Sequence, residues 1–196
     1  MARKQEPKLE ICVYGHPVLR EKAEPIAKVD SRIRDLAEAM FKVMYDRKGI
    51  GLAAQQVGKT IQICTLDLPA KYDLIPDTEE RLNPHVAMPL VMINPEIVAR
   101  VGSQTGEEAC LSVPEVAGAV ERAYEITVSF RDVRGGHREL TVKGMMARLV
   151  QHELDHLDGV LFVDRLSAFK RLTLTAQLHR LQRQAQERLA LPGAPV

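Results

Sequence analysis

The sharpest chemical pattern in the chain is His152-Glu153-Leu154-Asp155-His156. On a helix, positions i and i+4 lie about 40° apart around the axis, so both imidazoles point the same way. Neutral imidazole is the commonest metal ligand, and this spacing lets two of them share one divalent ion. Glu153 falls about 100° round the axis from His152, beside the ion and not on it. A carboxylate there can hold and deprotonate a water. A catalytic site of this kind needs a third protein ligand and one open position. Downstream, Asp158 and Asp164 are candidates. Upstream, Cys110 lies in Glu107-Glu108-Ala109-Cys110-Leu111-Ser112, a polar segment, and its thiolate would make a softer, more electron-rich site than a carboxylate. Cys12 and Cys64 sit among Ile11, Val13, Ile63 and Leu66 and read as core residues.

A second stretch, Gly49-Ile50-Gly51-Leu52-Ala53-Ala54-Gln55-Gln56, carries little side-chain bulk, so another backbone can approach it closely. It can accept a peptide as an added strand, with a carboxamide at its end to donate to a developing oxyanion. A tight helix-to-strand connection would use the same residues. A phosphate-binding loop would not, because the Gly-Lys-Ser/Thr ending is missing.

The elements that must position these groups follow from periodicity. Ile33, Leu36, Met40, Val43 and Met44 predict a helix over Asp30–Asp46, started by Asp30 or Ser31 and followed by Gly49. Gln62–Asp67, Leu90–Ile93, Glu96–Val101, Glu125–Asp132 and Arg138–Val142 read as strands, the last two joined across Arg134-Gly135-Gly136-His137. Leu68–Met88, with Pro69, Pro76 and Pro84, reads as a long surface loop. Gly144–Leu157 is a helix carrying the histidines, ended by Gly159. A last helix is expected over Ser167–Ala190, striped by Leu174, Leu178, Leu181, Ala185 and Leu189 and stopped at Leu191-Pro192-Gly193. Strands in the middle with helices at both ends indicate an α+β fold with mostly antiparallel sheet.

Length and composition agree with a globular domain. The 196 residues are 45% apolar and 27% charged, which excludes a disordered or low-complexity chain. Three cysteines do not make a disulfide framework and suit a reducing compartment. No apolar segment is long enough to span a bilayer, and the charged start Met1–Glu10 does not resemble a targeting signal, so the expectation is a cytoplasmic protein with no membrane role. The net charge of +1 averages two unlike parts. Leu166–Val196 carries Lys170, Arg171, Arg180, Arg183 and Arg188 against Glu187, a net +4, and the remainder is −3. A nucleic-acid-binding domain is excluded on charge, but a nucleic-acid-facing tail is not.

Taken together and in order, Gly49–Gln56, Glu108–Ser112 and Gln151–His156 resemble the peptide deformylase family. Its motifs run Gly-φ-Gly-φ-Ala-Ala-x-Gln, Glu-Gly-Cys-φ-Ser and Gln-His-Glu-x-Asp-His, where φ is apolar. Gly15-His16-Pro17-Val18-Leu19-Arg20 also resembles the family's opening strand. The one departure is Ala109, where the family usually has glycine. The resemblance implies that Cys110, His152 and His156 bind the metal and that Glu153 is the general base and then the acid. It implies an oxyanion hole made by the Gln56 side-chain amide and the Leu111 backbone N–H. The backbone around Ile50, Gly51 and Ala109 would pair with the substrate, and Ile50 and Leu149 would wall a methionine pocket. The implied reaction is removal of the N-formyl group from N-terminal methionine, with release of formate. The implied cofactor is one divalent ion, Fe2+ in vivo, with Zn2+, Ni2+ or Co2+ able to replace it. The implied fold is α+β, with antiparallel sheets around the metal helix and a C-terminal helix packed outside. Residues 1–166 would form the catalytic domain, and 167–196 a basic amphipathic helix and tail that can contact the ribosome. The rival readings are a zinc peptidase completed by a downstream carboxylate and a non-enzymatic, metal-stabilised binder of nascent peptide.

Overall fold

The computed structural model describes residues 9–190; the expectations for the charged start before Leu9 and the stop at Leu191-Pro192-Gly193 lie outside them. The fold is α+β. Strands β1 (Gly51–Ala53), β2 (Ile63–Leu66), β3 (Leu90–Val101), β6 (Glu125–Arg131) and β7 (His137–Lys143) form one antiparallel sheet in the order β1-β2-β3-β6-β7. Strands β4 (Gln104–Cys110) and β5 (Val113–Arg122) form a separate hairpin. The helices are α1 (Ser31–Asp46), α2 (Gly144–Leu157), α3 (Ala168–Thr173) and α4 (Thr175–Leu189).

Helix α1 starts where its sequence predicts, because the Asp30 carboxylate accepts from the N–H groups of Arg32 (2.9 Å) and Ile33 (3.2 Å). Its inner face, with Met40 and Met44, packs on Leu52, Ile63 and Ile93 of the sheet. Helix α2 is buried on nearly all sides, the mark of a central helix. Met146, Ala147 and Val150 meet Leu66, Met92, Ile126 and Val128 in the main core. Leu178 and Leu181 of α4 enter a third core with Val18, Leu19, Val113, Val116 and Phe162, against which Cys110 also packs.

Four expectations are corrected. Leu90–Ile93 and Glu96–Val101 are a single strand, irregular at Asn94-Pro95, where the Asn94 side chain clamps both backbone groups of Ile26. The opening motif is not a strand: Pro17–Arg20 is a 3-10 turn, its first free N–H taken by the His16 ring. The last helix is two. Thr173 and Thr175 turn their hydroxyls onto the carbonyls of Lys170 and Arg171, and one residue, Leu174, separates α3 from α4. The hairpin β4–β5 has no counterpart in the sequence reading, because the buried position in the middle of β4 is held by a carboxylate, Glu108. Cys64 is core as expected, and Cys12 is half-buried.

Because α4 supplies core side chains, Leu178→Ala should destabilise the whole fold by about 2–5 kcal/mol. Urea denaturation monitored by circular dichroism checks this.

Candidate functional site

Helix α2 is anchored at its start by Asn83, which accepts from the Lys143 N–H (2.8 Å) and donates to its carbonyl (3.2 Å). At its other end, His152 and His156 face the tip of β4. Among the described residues, Cys110, His152 and His156 bring one ligand atom each to within 4.8 Å of one another. The Cys110 Sγ lies 3.2 Å from His156 Nε2. Burial raises the Cys110 thiol, but the charge of His156 and hydrogen bonds from both histidines outweigh it and hold the thiol well below its usual range. One thiolate and two imidazoles, closely spaced, fit a divalent transition metal. The downstream carboxylates do not join them: Asp158 pairs with Lys22, and Asp164, in the 3-10 turn Phe162–Asp164, pairs with Arg20.

Glu108 explains why the histidines stand as they do. Its carboxylate accepts from His152 Nδ1 (2.9 Å), from Arg122 Nε and Nη2 (both 2.9 Å) and from Arg148 Nη1 (2.8 Å). With Nδ1 committed to Glu108, His152 presents Nε2 to the ligand cluster. Burial alone would raise the Glu108 pKa, yet Arg122 and His152 keep it ionised and well below the usual carboxylate range. Arg122 also reaches Asp155, which Arg165 grips with two nitrogens. Gln151 fastens the same helix to Ala123 through its N–H and carbonyl. The sequence reading treated Glu108 only as a polar neighbour. The signal that could have found it is its position two residues before the candidate ligand, the alternation that turns both side chains to one face of β4.

Glu153 is fully buried, and its Oε2 has no protein partner. Burial pushes its carboxyl up to about 7, against the pull of His152 and His156. Gly51 makes room for it: a Cβ there would strike Glu153 Oε1 and sit 2.8 Å from Leu149 Cδ1. Gly49 sits close to the turn after β4: a Cβ there would lie 2.8 Å from Leu111 Cδ1, so the leucine tip would have to shift, while the left-handed turn after α1 is made by Lys48. The Gln56 Oε1 accepts from the Ala53 N–H at 2.7 Å, which turns its Nε2 toward Cys110 Sγ (3.4 Å) and Ser112 Oγ (3.3 Å). Leu111 lies in the two-residue turn between β4 and β5. A cleft of about 410 Å³ is lined by Gln56, Cys110, Leu111, His152 and Glu153, with Ile50, Met145 and Leu149 as apolar walls and the exposed Ala109 beside them. The fold therefore brings together the residues that the family resemblance implies for the site, and leaves the downstream candidates Asp158 and Asp164 outside it. Tyr72, from the long loop, lines the same cleft and was not anticipated.

A family model described as polypeptide deformylase matches residues 8–172. The chain belongs to this family. It is an enzyme of the peptide deformylase class. A peptide deformylase from Alkalilimnicola ehrlichii is 47% identical over 178 residues, covering 91% of this chain and 93% of the relative. The peptide deformylase of Thermus thermophilus superposes with a TM-score of 0.76 at 39% identity, covering 89% of this chain and 98% of that one. That of Synechococcus elongatus, solved in complex with actinonin, gives 0.76 at 36% identity, with 94% and 92% covered.

Because a methyl at position 51 meets the Glu153 carboxylate, Gly51→Ala should lower deformylase kcat/KM by about 100-fold. Metal content should be retained, so a formate-release assay paired with metal analysis of the same sample checks it.

Proposed function

We propose that the chain hydrolyses the formamide of N-formylmethionyl peptides, releasing formate and a free N-terminal methionine. The observation that carries this reading is the meeting, at one end of an apolar cleft, of three metal-type ligands, an unpartnered buried carboxylate and an oriented carboxamide N–H. When bound by Cys110, His152 and His156, a divalent ion supplies Lewis acidity that brings the pKa of water toward neutrality. We take Fe2+ as the native ion and Zn2+, Ni2+ and Co2+ as able to substitute, since this mixed thiolate–imidazole set suits all four.

The rest of the chemistry belongs to the protein. Glu153 accepts the proton of the attacking water and returns it to the leaving amine nitrogen. The Gln56 Nε2–H and the Leu111 backbone N–H donate to the formyl oxygen as it becomes anionic; a donor of this kind typically contributes about 2.7–4 kcal/mol. The backbone at Ile50, Gly51 and Ala109 holds the peptide as an added strand. Ile50 and Leu149 receive the methionine side chain. Ala109 is not among the residues with positive φ, so its methyl adds bulk at the cleft edge without backbone strain.

Two observations weigh against the rivals. Asp158 and Asp164 are engaged elsewhere, which leaves a peptidase-type third ligand without a source. A peptide binder would need neither the buried Glu153 nor the fixed orientation of Gln56. The reading extends to the ribosome, through the exposed Lys170, Arg171, Arg183 and Arg188 of α3 and α4, and it places the enzyme in the cytoplasm. No helix among the described residues is long and apolar enough to cross a membrane.

The test is formate release from formyl-Met-Ala-Ser by anaerobically purified protein, with its metal content measured. Glu153→Gln should keep metal and peptide binding but lose about 10²–10⁴ in kcat; unchanged turnover would overturn the mechanism. For the ribosome, charge reversal at Arg183 and Arg188 is the cleaner probe than truncation, because α4 also fills a core. It should weaken salt-sensitive co-sedimentation with ribosomes and spare activity on free peptides.

A further inference from the structure

The loop Leu68–Met88 contributes one side chain to the cleft, Tyr72. Its ring is the only phenyl-type ring in that lining among the described residues, and it shares the lining with Ile50, Met145 and Leu149. The side chain stands 51% exposed, so a face of the ring is open to a ligand held in the cleft.

The position is held firmly. The Tyr72 N–H donates to the Pro69 carbonyl at 2.9 Å within the 3-10 turn Ala70–Tyr72. The next residue, Asp73, is buried and accepts from Asn83 Nδ2 (2.5 Å) and Arg81 Nε (3.0 Å), while its carbonyl takes the Leu82 N–H. Asn83 is the side chain that also binds both backbone groups of Lys143, directly before α2. One amide therefore ties the loop that carries Tyr72 to the helix that carries Met145 and Leu149. On the ring itself, the Lys71 ammonium lies 4.8 Å from the centroid.

We propose that Tyr72 is a specificity residue: its ring forms the outer wall of the pocket for the formylated residue and selects a long, apolar side chain there. The thioether of methionine suits such a wall, since sulfur packs favourably on aromatic rings. The inference rests on the deformylase reading above. It adds that the long loop, which carries no metal ligand, takes part in choosing the substrate.

The test compares formyl-Met-Ala-Ser with formyl-Ala-Ala-Ser in the wild-type enzyme, Tyr72→Ala and Tyr72→Phe. Tyr72→Ala should raise KM for the methionine peptide about three- to tenfold, as expected for loss of an aromatic contact, with kcat little changed. It should leave KM for the alanine peptide where it was, because that side chain is too short to reach the ring. Tyr72→Phe should behave as wild type on both peptides. If wild type releases no formate from either peptide, the deformylase reading itself fails. If wild type is active and Tyr72→Ala raises KM equally on both peptides, on neither, or lowers kcat alone, the assignment of Tyr72 is overturned while that reading stands.

Discussion

Glu108 is buried between the hairpin and the central helix, and its two oxygens are shared among His152, Arg122 and Arg148. A lone carboxylate in that place would be expensive, and so would either guanidinium. Together they satisfy one another, and the geometry that satisfies them also fixes the ring of His152. The network continues through Arg122 to Asp155 and Arg165, so two residues of the His-Glu-x-x-His stretch of α2 are tied to β4, β5 and the chain beyond the helix. Removing a member would leave buried charge uncompensated, which is why the site and the stability of this face of the protein rest on the same bonds.

The second constraint is closeness. β1 runs so near α2 that Gly51 leaves no room for a Cβ between it and the side chains of Glu153 and Leu149. These approaches remove water from Glu153 and raise its pKa, and they leave backbone open along the cleft. Small residues in Gly49–Gln56 thus serve the chemistry by what they lack. Tyr72 works in the other direction, adding a ring from the long loop to a cleft whose other apolar walls are Ile50, Met145 and Leu149.

Much of the fold was legible. α1, α2, β2, β6 and β7 have apolar periods that match their exposure, because each has one face or all faces in a core. The hairpin β4–β5 was not, because its inward position at Glu108 is charged and pattern reading assigns charged residues to the surface. The division between α3 and α4 escaped for a related reason: leucines continue on both sides of Leu174, while the threonine hydroxyls bonded to carbonyls there carry no periodic signal. Phe169 and Leu172, 77% and 72% exposed, show how far an apolar pattern can run past the core it predicts.

By itself the sequence determined the reactive groups and their family. Histidines at i and i+4 must share a face of any helix, and three short motifs in order point to one chemistry. What only the tertiary structure decided is where the distant groups sit. Cys110 is 42 residues before His152 and Gln56 is further still; packing brings Cys110 to the histidines and Gln56 to Cys110, and leaves Asp158 and Asp164 in ion pairs with Lys22 and Arg20. Spacing along a helix is local geometry and can be read from a few residues. The meeting of β4, the turn after β1 and the 68–88 loop around α2 is set by how three cores fill, and no local rule contains that information.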